Sequence, residues 1–115
     1  MLRPEQEWTK VYCDSQTQAD RMAADDRFMA PLFIAAFSRV VQLRRASCVI
    51  VEFVPSDALH PTYITARWGE IGARIDAMVE RLEALGDYEE CAELVDIRRA
   101  VSEREPLAAT RVTHA

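Results

Sequence analysis

The chain has 115 residues, half of them apolar and 29% charged, with a net charge of −5. That composition suits one globular domain with its own core and excludes a disordered tail or a membrane protein. The acidic balance also argues against a free-standing nucleic-acid binder, because neutralising phosphate needs clustered Lys and Arg.

The first predicted helix starts near Pro4, since proline at the first helical position loses no hydrogen bond. Glu5 and Glu7 suit its positive end. Trp8, Tyr12, Ser15, Ala19 and Met22 follow at helical steps and share one face. Asp25 and Asp26 break that pattern and can cap a second helix. From Phe28 to Leu43 the sequence is apolar nearly all round, as in a helix at the centre of a bundle. Pro31 fits there only in the first turn or at a kink.

Residues 48–54 are ambiguous. The run Val49-Ile50-Val51-Glu52-Phe53-Val54 is β-branched and aromatic, which favours strand. Partner strands are scarce: Tyr63-Ile64-Thr65 is one candidate and Thr110-Arg111-Val112-Thr113 another. Val40, Leu43, Ser47, Ile50 and Val54 keep a helical step, so continuation of the second helix to Pro55 is the preferred reading. A small β element at 48–65 is the alternative. Residues 55–61 form a loop.

The clearest periodic signal follows. Ile64, Trp68, Ile71, Ile75, Met78, Leu82 and Leu85 repeat in alternating steps of four and three. Such heptads specify an apolar seam against another helix. Gly69 and Gly72 let a neighbouring backbone come close beside Trp68. Gly86 ends the helix in the left-handed conformation. Asp87, with Glu90 three residues on, starts the next as an N-cap. One helix stops and another starts within about two residues, which forces an antiparallel hairpin. Its second arm carries Cys91, Leu94, Val95, Ile97 and Val101 and ends before Pro106. Residues 107–115 read as a loose tail.

The hairpin from residue 78 to 101 resembles the UVR motif, a short helical hairpin of excision repair proteins and protease adaptors. Tyr88, Glu89, Cys91, Ala92, Leu94 and Asp96 stand at matching places. The resemblance implies protein–protein contact, often by pairing with a second copy. The chain departs from that family at Val95, where a basic residue is usual, and at Arg98, where an apolar one is.

Motifs for chemistry are scarce. Cys13, Cys48 and Cys91 are widely spaced and odd in number, which suits a reducing compartment and no disulfide framework. The longest uncharged apolar stretch, Phe28 to Ser38, is eleven residues. A bilayer needs ~20, and the first residues lack an apolar signal core, so a cytoplasmic address is expected. His60 and His114 lie in no metal-ligand spacing, and neither metal nor cofactor is expected. Cys48 with His60 is the one nucleophile–base pair to consider, and it needs the β reading of residues 48–65. Glu70, Asp76, Glu80 and Glu83 stand among Arg67, Arg74 and Arg81, so a salt-bridged helix face explains them; Glu70–Arg74 is an i,i+4 pair. Gly69-Glu70-Ile71-Gly72 matches a nucleic-acid GxxG clamp in letters only, since it is acidic and lies inside the heptads. Arg39, Arg44 and Arg45 form a small basic patch suited to the negative end of the second helix or to a phosphate. Thirteen arginines stand against one lysine, Lys10, with no asparagine. Most of those arginines sit beside Asp or Glu, which speaks for ion-paired helices.

The expectation is therefore a mainly α domain of about four helices over residues 1–106, closed by a C-terminal antiparallel hairpin. It is read as a non-enzymatic interaction or regulatory module acting through the acidic hairpin on a protein partner with a basic surface. Trp8, Trp68, Tyr88, Glu89, Glu93 and Asp96 are the candidate contact residues. A homodimer through the heptad seam is one form of that reading. A small phage-type inhibitor covering a basic nucleic-acid site on a larger machine is another, and an enzyme using Cys48 or the Glu70 region is a third.

Overall fold

The computed structural model describes residues 8–106. The elements run β1 (Thr9–Cys13), α1 (Gln16–Ala23), α2 (Asp26–Leu43), β2 (Ser47–Pro55), β3 (Thr62–Arg67), α3 (Trp68–Leu85) and α4 (Tyr88–Glu103). Among the described residues four helices dominate, and a three-stranded sheet in the order β1-β2-β3 accompanies them.

The sheet is mixed. β1 lies parallel to β2, with Thr9 opposite Val51 and Cys13 opposite Pro55. β2 and β3 form an antiparallel hairpin from Ser47↔Arg67 to Phe53↔Thr62, with a bulge between Val49 and Val51. Val51 and Phe53 are buried beneath the helices, and the Phe53 ring stacks on Phe28 of α2 at 6.4 Å. Side chains alternate along a strand, and cross-strand partners share a face. Lys10, Tyr12, Glu52, Val54 and Tyr63 therefore lie on the opposite face of the sheet.

Local chemistry fixes the helix ends. The Ser15 hydroxyl accepts from the Gln18 amide at 3.0 Å and starts α1. The Asp25 carboxylate accepts from the amides of Arg27 and Phe28 at 3.0 and 3.2 Å and starts α2. Arg44 ends α2 in the left-handed region at φ 54°. β3 runs directly into α3, where the Glu70 carboxylate accepts from the Arg67 amide at 2.8 Å. Gly86, at φ 79°, ends α3, and α4 begins two residues later. Asp87 is its N-cap residue, but its carboxylate accepts from Arg27 and not, as the expected capping box requires, from the first turn of α4.

α2 is the central helix. It buries Met29, Ala30, Phe33, Ala36, Phe37, Val40 and Val41 and packs on β2, α1, α3 and α4. α3 contributes Ile71, Ile75, Met78 and Leu82, and α4 contributes Cys91, Leu94, Ile97 and Val101. Two ion pairs clasp the start of α2 to the hairpin. Arg27 meets Asp87, and Arg81 meets Asp26, each at 2.9 Å. Arg27 also donates to the Leu85 carbonyl at 3.0 Å.

Several sequence expectations are corrected. Residues 9–13 are a strand rather than part of a helix, because they pair with Val51–Pro55. The helix begins at Gln16, so Trp8 and Tyr12 do not share a helical face with Ala19 and Met22. Pro4 lies outside the described residues. Pro31 sits in the second turn of α2, on its exposed side, rather than in the first turn. α2 stops at Leu43, and residues 47–55 are the central strand, which settles the ambiguous segment as β. The heptad seam is shorter than its spacing suggests. Ile64 lies on β3, Trp68 opens α3, and Leu85 is exposed. Its middle, Ile71 to Leu82, is buried within this chain, so it presents no seam to a second copy. Gly69 has open space beside it, while Gly72 accommodates the Arg98 guanidinium, 2.9 Å from where a Cβ would stand. The small residue admits a side chain, not a backbone. The proposed tail at 107–115, with the candidate strand at Thr110–Thr113, lies outside the described residues.

Candidate functional site

α4 presents two stripes away from the core. Tyr88, Ala92 and Val95 follow at steps of four and three and are exposed, Tyr88 by 67% and Val95 by 43%. Leu85, at the hairpin tip, is 44% exposed. Beside that apolar stripe runs an acidic one of Glu89, Glu93 and Asp96, all exposed, with Asp96 accepting from Arg99 at 3.3 Å. The buried face of the same helix, Cys91, Leu94, Ile97 and Val101, is fully used by the core. Four of the candidate contact residues, Tyr88, Glu89, Glu93 and Asp96, thus share one surface.

Arg98, which departs from the UVR pattern, is absorbed inside the hairpin. Its guanidinium donates to Asp76 on α3 at 3.1 and 3.4 Å and to the Ser102 hydroxyl at 3.0 Å. The charge is therefore turned towards α3 and away from the Tyr88 stripe.

The two tryptophans lie elsewhere. Trp68 is partly buried against the core at the start of α3. Trp8 is partly buried beside the sheet, where its indole N–H donates to Glu52 Oε1 at 2.9 Å. Its ring meets Tyr63 edge-on, with centroids 6.4 Å apart and planes 79° apart. Glu52 is only 6% exposed, so this bond holds a buried carboxylate in the middle of the central strand.

Trp8 also borders a cleft of about 590 Å³ between α2 and the end of the β2–β3 hairpin nearest α3. Ala36 and Val40 of α2 and Val49 and Ala66 of the sheet give it apolar walls. Arg39, Arg45 and Arg67 reach it from a helix, a turn and a strand end. Of the basic patch read from the sequence, Arg39 and Arg45 are here, whereas Arg44 donates to the Glu105 carbonyl at 3.0 Å. Arg67, read from the sequence as part of a salt-bridged helix face, is instead the last residue of β3 and joins the cleft. Only the pairing of Ser47 with Arg67 brings it to the cleft, and no local signal announces that register.

Cys48 is half-buried and lines the same cleft. Burial pushes its thiol up, outweighing the backbone hydrogen bond at Ala66 and the nearby Arg74 charge, which both lower it. The β reading does not unite it with His60. Cys48 stands opposite Ala66 at one end of the hairpin, and His60 is in the loop at the other, about 20 Å of strand away. The expected Glu70–Arg74 pair is not formed either. Glu70 caps α3, while Arg74 donates to the Thr65 carbonyl at 3.0 Å and lies 5.6 Å from the Phe33 ring centre. Among the described residues no group of three or more His, Cys, Asp or Glu is placed to hold a metal, and no helix is long and apolar enough to cross a membrane.

No protein-family model matches the chain, and no curated protein or solved structure matches it.

Proposed function

We propose that the chain is a non-enzymatic protein-binding module that acts through the outer face of the α3–α4 hairpin. The observation that carries this reading is the Tyr88–Ala92–Val95 stripe, exposed beside Glu89, Glu93 and Asp96 on a helix whose other face is already buried. An exposed tyrosine in an apolar stripe is a typical interface anchor. The acids beside it set partner choice and encounter rate. The partner is a protein surface with an apolar ridge flanked by Lys or Arg. The resemblance of residues 78–101 to the UVR hairpin supports protein contact through this hairpin, though not this face in particular. Pairing with a second copy through it would set two acidic stripes against each other, which favours a different, basic partner. An inhibitor that covers a basic nucleic-acid-binding surface is one form of this reading.

Site-specific photo-crosslinking in cells tests it. A crosslinker at position 92 should capture a defined protein that the same group at Thr17, exposed on α1, does not. The captured partner, purified, should bind wild-type chain and lose at least tenfold in affinity with Glu89→Lys/Glu93→Lys and with Tyr88→Ala. Binding should weaken as salt rises. Affinity unmoved by these changes, or no capture beyond the Thr17 control, overturns the proposal.

A further inference from the structure

We infer that the cleft between α2 and the β2–β3 hairpin binds a small organic phosphate. The whole chain is acidic, with a net charge of −5. Yet the described residues that line this cleft include Arg39, Arg45 and Arg67 and not one acid. Arg39 and Arg45 come from the end of α2 and the turn after it, and the strand register adds Arg67 from 22 residues further along the chain, so the fold extends a local basic patch into a three-arginine cleft. Arg39 and Arg45 are each engaged within the fold. A guanidinium carries five N–H donors, so an engaged arginine can still donate to a ligand.

The rest of the lining fits an organic body attached to the anion. The hydroxyls of Ser47 and Thr65 add polar groups near the arginines, while Trp8, Val40 and Val49 offer apolar and aromatic wall. The volume, about 590 Å³, is in the range of small-molecule sites. Three guanidiniums suit the charge and several oxygens of a phosphate better than a single carboxylate, because each arginine can make a forked pair of bonds to it. The site is separate from the α4 surface, so one can be lost without the other.

Calorimetric titration with adenosine monophosphate, inorganic phosphate, benzoate and adenosine tests the inference. Adenosine monophosphate should bind saturably, inorganic phosphate at least tenfold more weakly, and benzoate and adenosine more weakly still. Arg67→Gln and Ala46→Glu should each weaken the monophosphate at least fivefold. Ala46 is exposed at the cleft rim, so its replacement by Glu adds a repelling charge without touching the core. Arg21→Gln, on the exposed side of α1, should change nothing. Circular dichroism establishes that each variant is folded. The inference fails if no phosphate probe binds saturably at millimolar concentration. It fails equally if adenosine or benzoate binds as well as the monophosphate, or if folded cleft variants bind like wild type.

Discussion

Glu52 is the one charged side chain buried among the described residues, and it stands between Val51 and Phe53 in the central strand. A carboxylate out of water needs a donor, and Trp8 supplies it from 44 residues away in the chain. Trp8→Phe keeps most of the ring and removes the N–H. It should destabilise the protein by about 1–3 kcal/mol, read from urea unfolding, because the carboxylate is left under-satisfied. Adding Glu52→Leu to Trp8→Phe should recover most of that loss, since no buried acceptor then remains. A second loss on top of the first would show that the tryptophan acts by packing alone. The sequence marks Trp8 as an anchor or core residue, but its role as a hydrogen-bond donor was hidden. Neither Glu52 nor Trp8 carries a local sign of the other, because a parallel strand pair brings them together.

At the scale of single elements, what was legible is what depends on neighbours in sequence. Asp25 caps α2, Gly86 ends α3 and Pro106 follows α4, and each of these helices begins or stops where its local signals place it. What failed depends on distant partners. Thr9–Cys13 has helically spaced Trp8 and Tyr12 at its edges, and only β2 makes it a strand. Ser47–Pro55 keeps a helical step with Val40 by coincidence, and the turn at Arg44, left-handed without being glycine, gives no warning that α2 has ended. The seam on α3 has the expected period, but it serves this chain's own core and not a second copy. Ile75 is 1% exposed inside this chain, so Ile75→Asp should unfold the protein rather than separate a dimer. Burying an unpaired carboxylate there opposes a total stability of about 5–15 kcal/mol. Loss of the cooperative thermal transition is the expected result. A folded Ile75→Asp monomer would mean that α3 packs on something other than its own core. The acidic stripe on α4 was legible residue by residue, whereas the arginine cleft was not, since Arg67 joins Arg39 and Arg45 only through strand register.

For the molecule as a whole, the hairpin is part of the core and not an appendage. Leu94 and Ile97 of α4 and Ile75 and Met78 of α3 are buried in one cluster with Phe37 and Val41 of α2. A peptide of residues 68–103 should therefore show little helix by circular dichroism in water, since 36 residues without α2 expose most of that face. A stable helical peptide would make the hairpin an autonomous module carried by the rest of the chain. The sheet is integrated in a different way. Because β1 runs parallel to β2, its partner is not the next segment to be made but one that follows after two helices and a turn. During synthesis Thr9–Cys13 leaves the ribosome with nothing to pair with, and it must wait until Val51–Pro55 has followed it out. The first strand among the described residues thus joins the sheet only after β2 has emerged, and its wait is set by the length of the crossover between them.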